Sequence, residues 1–114
     1  MNKKTIFDLF NLKGKTIVLT GSAGRLGSRF ADVLSSAGAN VVLVDIDESY
    51  NKKLELELKQ KYHTNPLAIK IDISKQSEVI KLKQLTLKKY KKVYNFYFEN
   101  TKPIKSTFWE YQIK

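Results

Sequence analysis

Short apolar runs alternate along this chain with longer stretches in which apolar residues recur every three or four positions. The runs occupy residues 16–19, 41–44 and 67–71 and predict three β-strands. The second run contains no polar position, which is typical of a parallel strand covered on both faces. The wider spacing predicts helices over residues 24–37, 48–62 and 75–92. Strand and helix therefore alternate, which predicts a doubly wound α/β fold of the Rossmann type with a parallel sheet.

The first predicted helix has an apolar face that we expect to lie against the sheet. Its members are Leu26, Phe30, Val33, Leu34 and Ala37. Gly38 follows and predicts the C-terminal cap of this helix. Ser74 is expected to cap the third helix at its N-terminus.

A glycine-rich turn joins the first predicted strand to the first predicted helix, reading T-G-S-A-G-R-L-G from Thr20 to Gly27. Gly21, Gly24 and Gly27 remove side chains where the backbone must turn sharply, approach a pyrophosphate closely and pack a helix against a strand. The free N–H groups and the dipole of the helix would then face the phosphates. The turn therefore predicts a phosphate-binding site.

An acidic residue follows the second apolar run, eighteen residues after Gly27. Asp45 stands where a ribose-binding carboxylate belongs in a dinucleotide-binding fold. Strand, glycines, helix, strand and acid occur in the order that such a fold requires. Together they predict a dinucleotide cofactor as the ligand of this chain.

The composition of the chain argues against several classes of function. A chain of 114 residues holds one domain at most, and its 42% hydrophobic content indicates a folded chain. Cysteine is absent and histidine occurs once, which excludes disulfides and thiolate catalysis and argues against a metal site. A reducing, cytoplasmic location is the expectation. No apolar stretch approaches the roughly 20 residues of a membrane span, so we expect no membrane partner.

The net charge of +10 is concentrated late in the chain. Ten of the 21 lysines and arginines, but only three of the eleven acids, follow residue 74. A basic tail is compatible with nucleic acid or an anionic surface. The abundance of Lys, Asn, Ile, Tyr and Phe is equally what an AT-rich genome encodes, and we favour that interpretation. Nucleic acid is therefore not the expected partner.

Residues 7 to about 75 resemble the N-terminal part of the short-chain dehydrogenase/reductases. The resemblance rests on Leu12, Gly14 and Lys15 before the first strand, on the turn from Thr20 to Gly27, and on the acids after the second and third strands. It implies a cofactor site formed by the turn and by residues after the next two strands. Its members would be Gly21, Ser22, Gly24, Arg25, Leu26, Gly27, Asp45, Asp72 and Ile73.

The resemblance implies roles for three of these residues. Asp45 would contact the ribose, and with Asp47 and Glu48 it would repel a 2′-phosphate, which favours NAD over NADP. Asp72 would contact the adenine, although an Asp before Ser74 can also simply end a strand and begin a helix. Arg25 is a cation that would favour NADP, although an arginine on the first turn of a helix can also simply be an exposed surface residue. It stands where the family's shorter branch most often has glycine, so the spacing is more similar to that of the extended branch.

The catalytic pair of that family is a tyrosine followed four residues later by lysine, and none of the six tyrosines has this partner. We therefore assign no catalytic residue and expect the NAD(P)-binding segment of an oxidoreductase that is truncated or diverged and not competent alone. Two alternatives remain: a small basic module that binds nucleotides or nucleic acid, and an enzyme completed by another chain.

The predicted division of the chain places a Rossmann-like half-domain over residues 1–92. Residues 93–98 predict a fourth strand, since aromatic and β-branched residues suit a sheet. Residues 93–114 as a whole form a basic and aromatic tail. A sheet of three or four strands would be incomplete, and its open edge predicts self-association.

Overall fold

The computed structural model describes residues 9–90 and 95–98. Strands and helices alternate within them, as β1 (Thr16–Thr20), α1 (Arg25–Ser36), β2 (Asn40–Asp45), α2 (Glu48–Tyr62), β3 (Leu67–Lys70), α3 (Gln76–Tyr90) and β4 (Asn95–Phe98). All paired strands are parallel, in the order β3-β2-β1-β4. The predicted Rossmann-like sheet is confirmed. The predicted positions 93–94 and the tail from residue 99 lie outside the described residues.

Helices cover both faces of the sheet. On one face, Ile17, Leu19, Val41 and Leu43 pack with residues of α1 and α2. On the other face, the alternate positions of β1 and β2 pack with Val79 and Leu82 of α3, among others. Because β1 and β2 are apolar at successive positions, both of their faces find an apolar partner. The doubly wound arrangement follows from this pattern.

The predicted buried face of α1 is wrong. Leu26, Phe30 and Val33 are 58%, 45% and 61% exposed, whereas the residues that α1 buries are Gly27, Ala31 and Ser35. Small side chains let the helix approach the sheet closely. The larger apolar residues lie on an exposed side of α1. Asp32 of α1 contacts α2, where it accepts a 2.8 Å hydrogen bond from the Tyr62 hydroxyl. Of the predicted face, Leu34 packs against the core while partly buried.

The ends of the helices refine the predicted boundaries. Ala37 is the C-cap of α1, and Gly38 follows with a φ of +101°. The Gly38 N–H donates to Ser35 O and the Ala39 N–H to Leu34 O, which is the Schellman arrangement. The predicted cap at Ser74 is wrong, because its hydroxyl donates to Asp72 Oδ1 at 2.6 Å and α3 begins two residues later.

The outer edge of β3 is covered by side chains of the flanking helices. Glu55 accepts a hydrogen bond from the Ala68 N–H, and Lys52 Nζ donates to Ala68 O at 3.3 Å. Lys89 Nζ donates to Pro66 O at 3.0 Å, just before the strand. An edge strand normally offers such groups to another chain. Here α2 and α3 satisfy them within the molecule.

Candidate dinucleotide-binding site

The carboxyl ends of the four described strands meet at one edge of the sheet. Thr20 at the end of β1 is aligned with Val44 of β2 and with Phe98 of β4, and Asp45 is aligned with Lys70 of β3. The glycine turn, Asp45 and the segment after β3 therefore lie at the same edge. In open parallel sheets this edge is where ligands bind.

The glycine turn needs glycine at two positions for steric reasons. Gly21 has a φ of +74°, a backbone conformation that residues with a Cβ rarely adopt. Its N–H donates to Val44 O at 2.8 Å, and its carbonyl accepts from the Gly24 N–H at 3.0 Å. A Cβ added to Gly24 would lie 3.1 Å from Gly21 O. The turn is thus closed by its own backbone and joined to β2.

Helix α1 begins from this turn without a side-chain cap. Gly24 is its N-cap, in an extended conformation, and the first turn of α1 contains no acidic residue. The first N–H groups of a helix have no acceptor within the helix, and the positive end of the helix dipole attracts anions. Arg25 and Leu26 are exposed there, while Gly27 is buried against the sheet. This arrangement suits a pyrophosphate.

Asp45 joins the turn to the start of α2. Its Oδ2 accepts a hydrogen bond from the Ala23 N–H at 3.0 Å, and its Oδ1 accepts one from the Asp47 N–H at 2.9 Å. The carboxylate is half-buried. Each carboxylate oxygen has more than one lone pair, so both can also accept from the hydroxyls of a ribose. Asp45 is therefore held rigidly beside the turn by backbone donors.

Ser22 is buried and its hydroxyl points to a residue that sequence reasoning missed. It donates to Asn51 Oδ1 at 2.5 Å, and Asn51 Nδ2 donates to Leu43 O at 2.7 Å. Asn51 precedes Leu54 and Leu58 on the buried face of α2 and is 1% exposed. A polar residue in line with an apolar face is a signal that could have identified it.

Asp72 and Ile73 have local contacts. Asp72 Oδ1 accepts from both the N–H and the hydroxyl of Ser74, and its backbone N–H donates to Glu78 Oε1 at 3.2 Å. Ile73 packs, partly buried, against the cluster beneath α3. Asp72 thus lies in the turn between β3, which ends at Lys70, and α3, which begins at Gln76. A cofactor contact by either residue stays a prediction.

The described residues contain neither a cluster of metal ligands nor a membrane-spanning helix. Within residues 9–90 and 95–98, no three His, Asp or Glu side chains come together as metal ligands. No helix in this part of the chain has the length and apolar character needed to cross a membrane. His63, the one histidine, is exposed and ends α2 in the left-handed conformation, with a φ of 57°.

A family model described as short chain dehydrogenase matches residues 15–98, from the start of β1 to the end of β4. The match includes the glycine turn, Asp45 and the segment after β3. The chain belongs to the short chain dehydrogenase family. In this family the matched region is the part that binds a NAD(P) dinucleotide, and the geometry of the turn fits that ligand.

Curated relatives agree with this assignment. A diacetyl reductase from Staphylococcus epidermidis is 40% identical over 76 residues, which are 67% of this chain and 29% of that protein. The short-chain dehydrogenase/reductase aba4 of Botryotinia fuckeliana is 40% identical over 65 residues, 57% of this chain and 25% of that protein. The chain therefore spans between a quarter and a third of the length of these relatives.

Solved structures show the same fold. The NADPH-dependent 3-quinuclidinone reductase from Rhodotorula rubra has a TM-score of 0.78 at 20% identity, over 84% of this chain and 36% of that one. A short chain dehydrogenase from Burkholderia phymatum, in complex with NAD, has a TM-score of 0.71 at 27% identity, over 75% of this chain and 30% of that one. The fold is shared with proteins that use either dinucleotide.

Proposed function

We propose that this chain binds NAD at the carboxyl edge of its sheet, with the pyrophosphate on the glycine turn and the first turn of α1. The observation that carries the proposal is a helix that begins at Gly24 with neither a side-chain cap nor an acid in its first turn. A bound anion would accept from those N–H groups and complement the helix dipole. Ser22, Arg25, Leu26 and Gly27 complete the proposed turn site.

Asp45 is the proposed selector of NAD over NADP. Its carboxylate is already fixed by the Ala23 and Asp47 N–H groups, so it cannot swing away from a ribose without breaking both bonds. Asp47 and Glu48 follow it at the start of α2 and add negative charge. A 2′-phosphate would be repelled there, whereas ribose hydroxyls would donate to Asp45. Asp72 and Ile73 are the proposed neighbours of the adenine.

We propose that the chain by itself binds the dinucleotide without turnover. The nicotinamide of the cofactor supplies hydride transfer, which must be coupled to a proton donor held at the substrate. No tyrosine between residues 50 and 97 has lysine four residues later, so we assign the family's proton donor to none of them. Alcohols, ketones and sugar nucleotides should all fail as substrates, as followed by cofactor absorbance. Turnover that scales with purified protein and disappears in Gly21→Val would contradict this.

The binding proposal is tested with two matched glycine variants. Gly21→Val forces a side chain onto a φ of +74° inside the turn and should abolish NAD binding in calorimetric titration. Gly14→Val places the same strain at a φ of +79° before β1, where a Cβ would meet nothing within 4 Å. It should lower stability while leaving the Kd for NAD unchanged. Equal affinity in Gly21→Val and the unaltered chain would place the site elsewhere.

Two further proposals concern the chain's surroundings. We propose self-association at the outer edge of β4, which has only β1 as a neighbour among the described strands. The side chains that already cover the edge of β3 and the exposed Leu26, Phe30 and Val33 support this proposal. A sedimentation coefficient that is independent of protein concentration would contradict self-association.

We also propose a cytoplasmic location, which the absence of cysteine supports. Fractionation of cells that contain a tagged chain would test it.

A further inference from the structure

We propose that Ser22 and Asn51 form a buried connection that positions the glycine turn for a pyrophosphate. The inference rests on the proposed function and names positioning residues for the same site. Ser22 lies between Gly21 and Ala23 in the turn, and Asn51 lies in the first turns of α2, with its N–H donating to Asp47 O at 3.1 Å. The connection therefore joins two segments that are 29 residues apart in the chain.

The direction of both hydrogen bonds follows from chemistry. Leu43 O can only accept, so the atom of Asn51 that lies 2.7 Å from it must be the amide nitrogen. The amide oxygen then faces Ser22, whose hydroxyl must donate across the 2.5 Å contact. Ser22 and Asn51 are 0% and 1% exposed, so water cannot replace either partner without an opening of the turn. Their orientation is fully determined.

A second hydrogen bond restrains the turn next to this connection. The Ala23 N–H donates to Asp45 Oδ2, so consecutive turn residues are joined to α2 and to the end of β2. The side chains of Ser22 and Asn51 offer no group to the pyrophosphate in this arrangement, since their polar atoms face each other and Leu43 O. Their contribution is that backbone N–H groups of the turn hold one geometry before the ligand arrives. Such preorganisation raises affinity by removing the cost of ordering on binding.

Two variants break the connection, and a third is a matched control. Ser22→Ala removes the donor but leaves the Asn51 bond to Leu43. Asn51→Leu keeps a similar side-chain volume and removes both hydrogen bonds. It replaces Ser22→Ala in the experiment if Ser22→Ala does not fold. Thr86→Val removes another fully buried hydroxyl, which donates to Leu82 O within α3 on the opposite face of the sheet. It should cost similar stability without touching the turn.

The first measurement needs no cofactor. Amide hydrogen exchange of the Ala23 and Gly24 N–H groups should accelerate about tenfold in Ser22→Ala and less than about twofold in Thr86→Val, relative to exchange in the β2 core. Unchanged exchange at Ala23 and Gly24 in both Ser22→Ala and Asn51→Leu would overturn the inference. Equal acceleration in Thr86→Val would overturn it too, since the effect would then be general destabilisation.

The second measurement compares NAD with adenosine, which has no phosphate. Ser22→Ala should raise the Kd for NAD about tenfold and the Kd for adenosine by less than about threefold, because only NAD uses the turn. A parallel loss for both ligands would overturn the positioning role while leaving the proposed function intact. Failure of the unaltered chain to bind NAD would overturn both, so the two failures are distinguishable.

Discussion

Asp45 and Asp72 follow neighbouring strands of the same sheet, yet their carboxylates do different things. Asp45 accepts hydrogen bonds from Ala23 in the glycine turn and from Asp47 at the start of α2. Asp72 accepts from the N–H and the hydroxyl of Ser74, within its own turn. The first acid connects separate segments of the fold at the candidate site, whereas the second shapes the local entry to α3.

The positions of the two strands explain this difference. β2 lies inside the sheet beside β1, so the residue at its end faces the turn that leaves β1. Among the strands that the structure describes, β3 lies at the edge of the sheet and has only β2 as a neighbour. Its free edge is met by Lys52 and Glu55 of α2. Asp45 is aligned with Lys70, so Asp72 lies two residues further along its own strand direction. The register and the neighbour of each strand therefore decide what each acid can reach.

The largest expected effect separates the two acids directly. Asp45→Ala should raise the Kd for NAD about 30-fold, because it removes the proposed ribose acceptor and the bond that restrains the turn. Asp72→Ala should raise it less than about threefold while lowering the free energy of unfolding by about 1 kcal/mol. Calorimetric titration and chemical denaturation measure the two quantities.

A third acid serves as the control for this pair. Asp32→Ala makes the same change in charge on α1, where Asp32 contacts Tyr62 and Lys61 of α2. The Kd for NAD should stay within about twofold in this variant. Comparable losses of affinity in Asp45→Ala and Asp72→Ala would show that the proposed adenine contact of Asp72 contributes as much as the proposed ribose contact of Asp45.

The second prediction concerns the choice of cofactor. The unaltered chain should bind NAD more tightly than NADP, and Asp45→Asn should reduce the preference about tenfold by removing the charge. The amide oxygen of the asparagine can still accept from Ala23, so the turn should persist. Arg25→Gln should change the ratio little. Tighter binding of NADP by the unaltered chain would mean that Arg25 sets the selectivity.

The third prediction concerns the hydrogen bond that covers the edge of β3, and its main measurement is the free energy of unfolding. Glu55→Ala leaves the Ala68 N–H at the sheet edge without its acceptor and should lower the free energy of unfolding by about 1–2 kcal/mol. Glu55→Gln retains an acceptor and should recover more than half of that loss. Glu57→Ala, at an exposed position of the same helix, should have little effect. The Kd for NAD should be unchanged in all three, and a clear rise would show that β3 supports the site.

The smallest expected effect is a dependence on alkaline pH. Burial raises the pKa of Tyr90 above its ordinary value, and the negative charge of Glu55 acts in the same direction. Above about pH 10 the unfolded chain therefore loses this proton while the folded chain retains it, so stability falls as pH rises, by at most about 1.4 kcal/mol per pH unit.

Tyr90→Phe separates this effect from other titrations. At neutral pH it should be less stable, because the hydroxyl donates to Asn65 O at 2.6 Å. The deficit relative to the unaltered chain should shrink above about pH 10, as followed by denaturation at several pH values. Tyr50→Phe, at an exposed position, is the control. A deficit that stays constant with pH would show that the Tyr90 proton does not contribute.

The alternation of apolar runs and helical spacing predicted the fold well. The bounds of α2 agree with residues 48–62, and β2 extends the predicted 41–44 by one residue at each end. These elements are encoded locally, since an apolar run suits a strand covered on both faces. The glycine turn was recognisable for a similar reason, because residues with a Cβ rarely adopt the φ of Gly21, and a Cβ at Gly24 would lie 3.1 Å from Gly21 O within the same turn.

The face that α1 buries was decided by tertiary structure. Periodicity pointed to the large residues Leu26, Phe30 and Val33, but the close packing of α1 on the sheet selected Gly27, Ala31 and Ser35. Helical spacing predicts which residues share a face of α1. It does not predict how near the sheet lies to that face. That distance depends on the whole sheet and on α2.

The sequence by itself determined the order of strands and helices, the phosphate-binding turn and the acid at the end of β2, because each depends on residues close together in the chain. Only the tertiary structure decided that Asn51 meets Ser22 and that Asp45 holds Ala23. These contacts depend on which strands become neighbours. Strand order is a property of the assembled sheet, and no local pattern of residues specifies which buried polar groups it brings together.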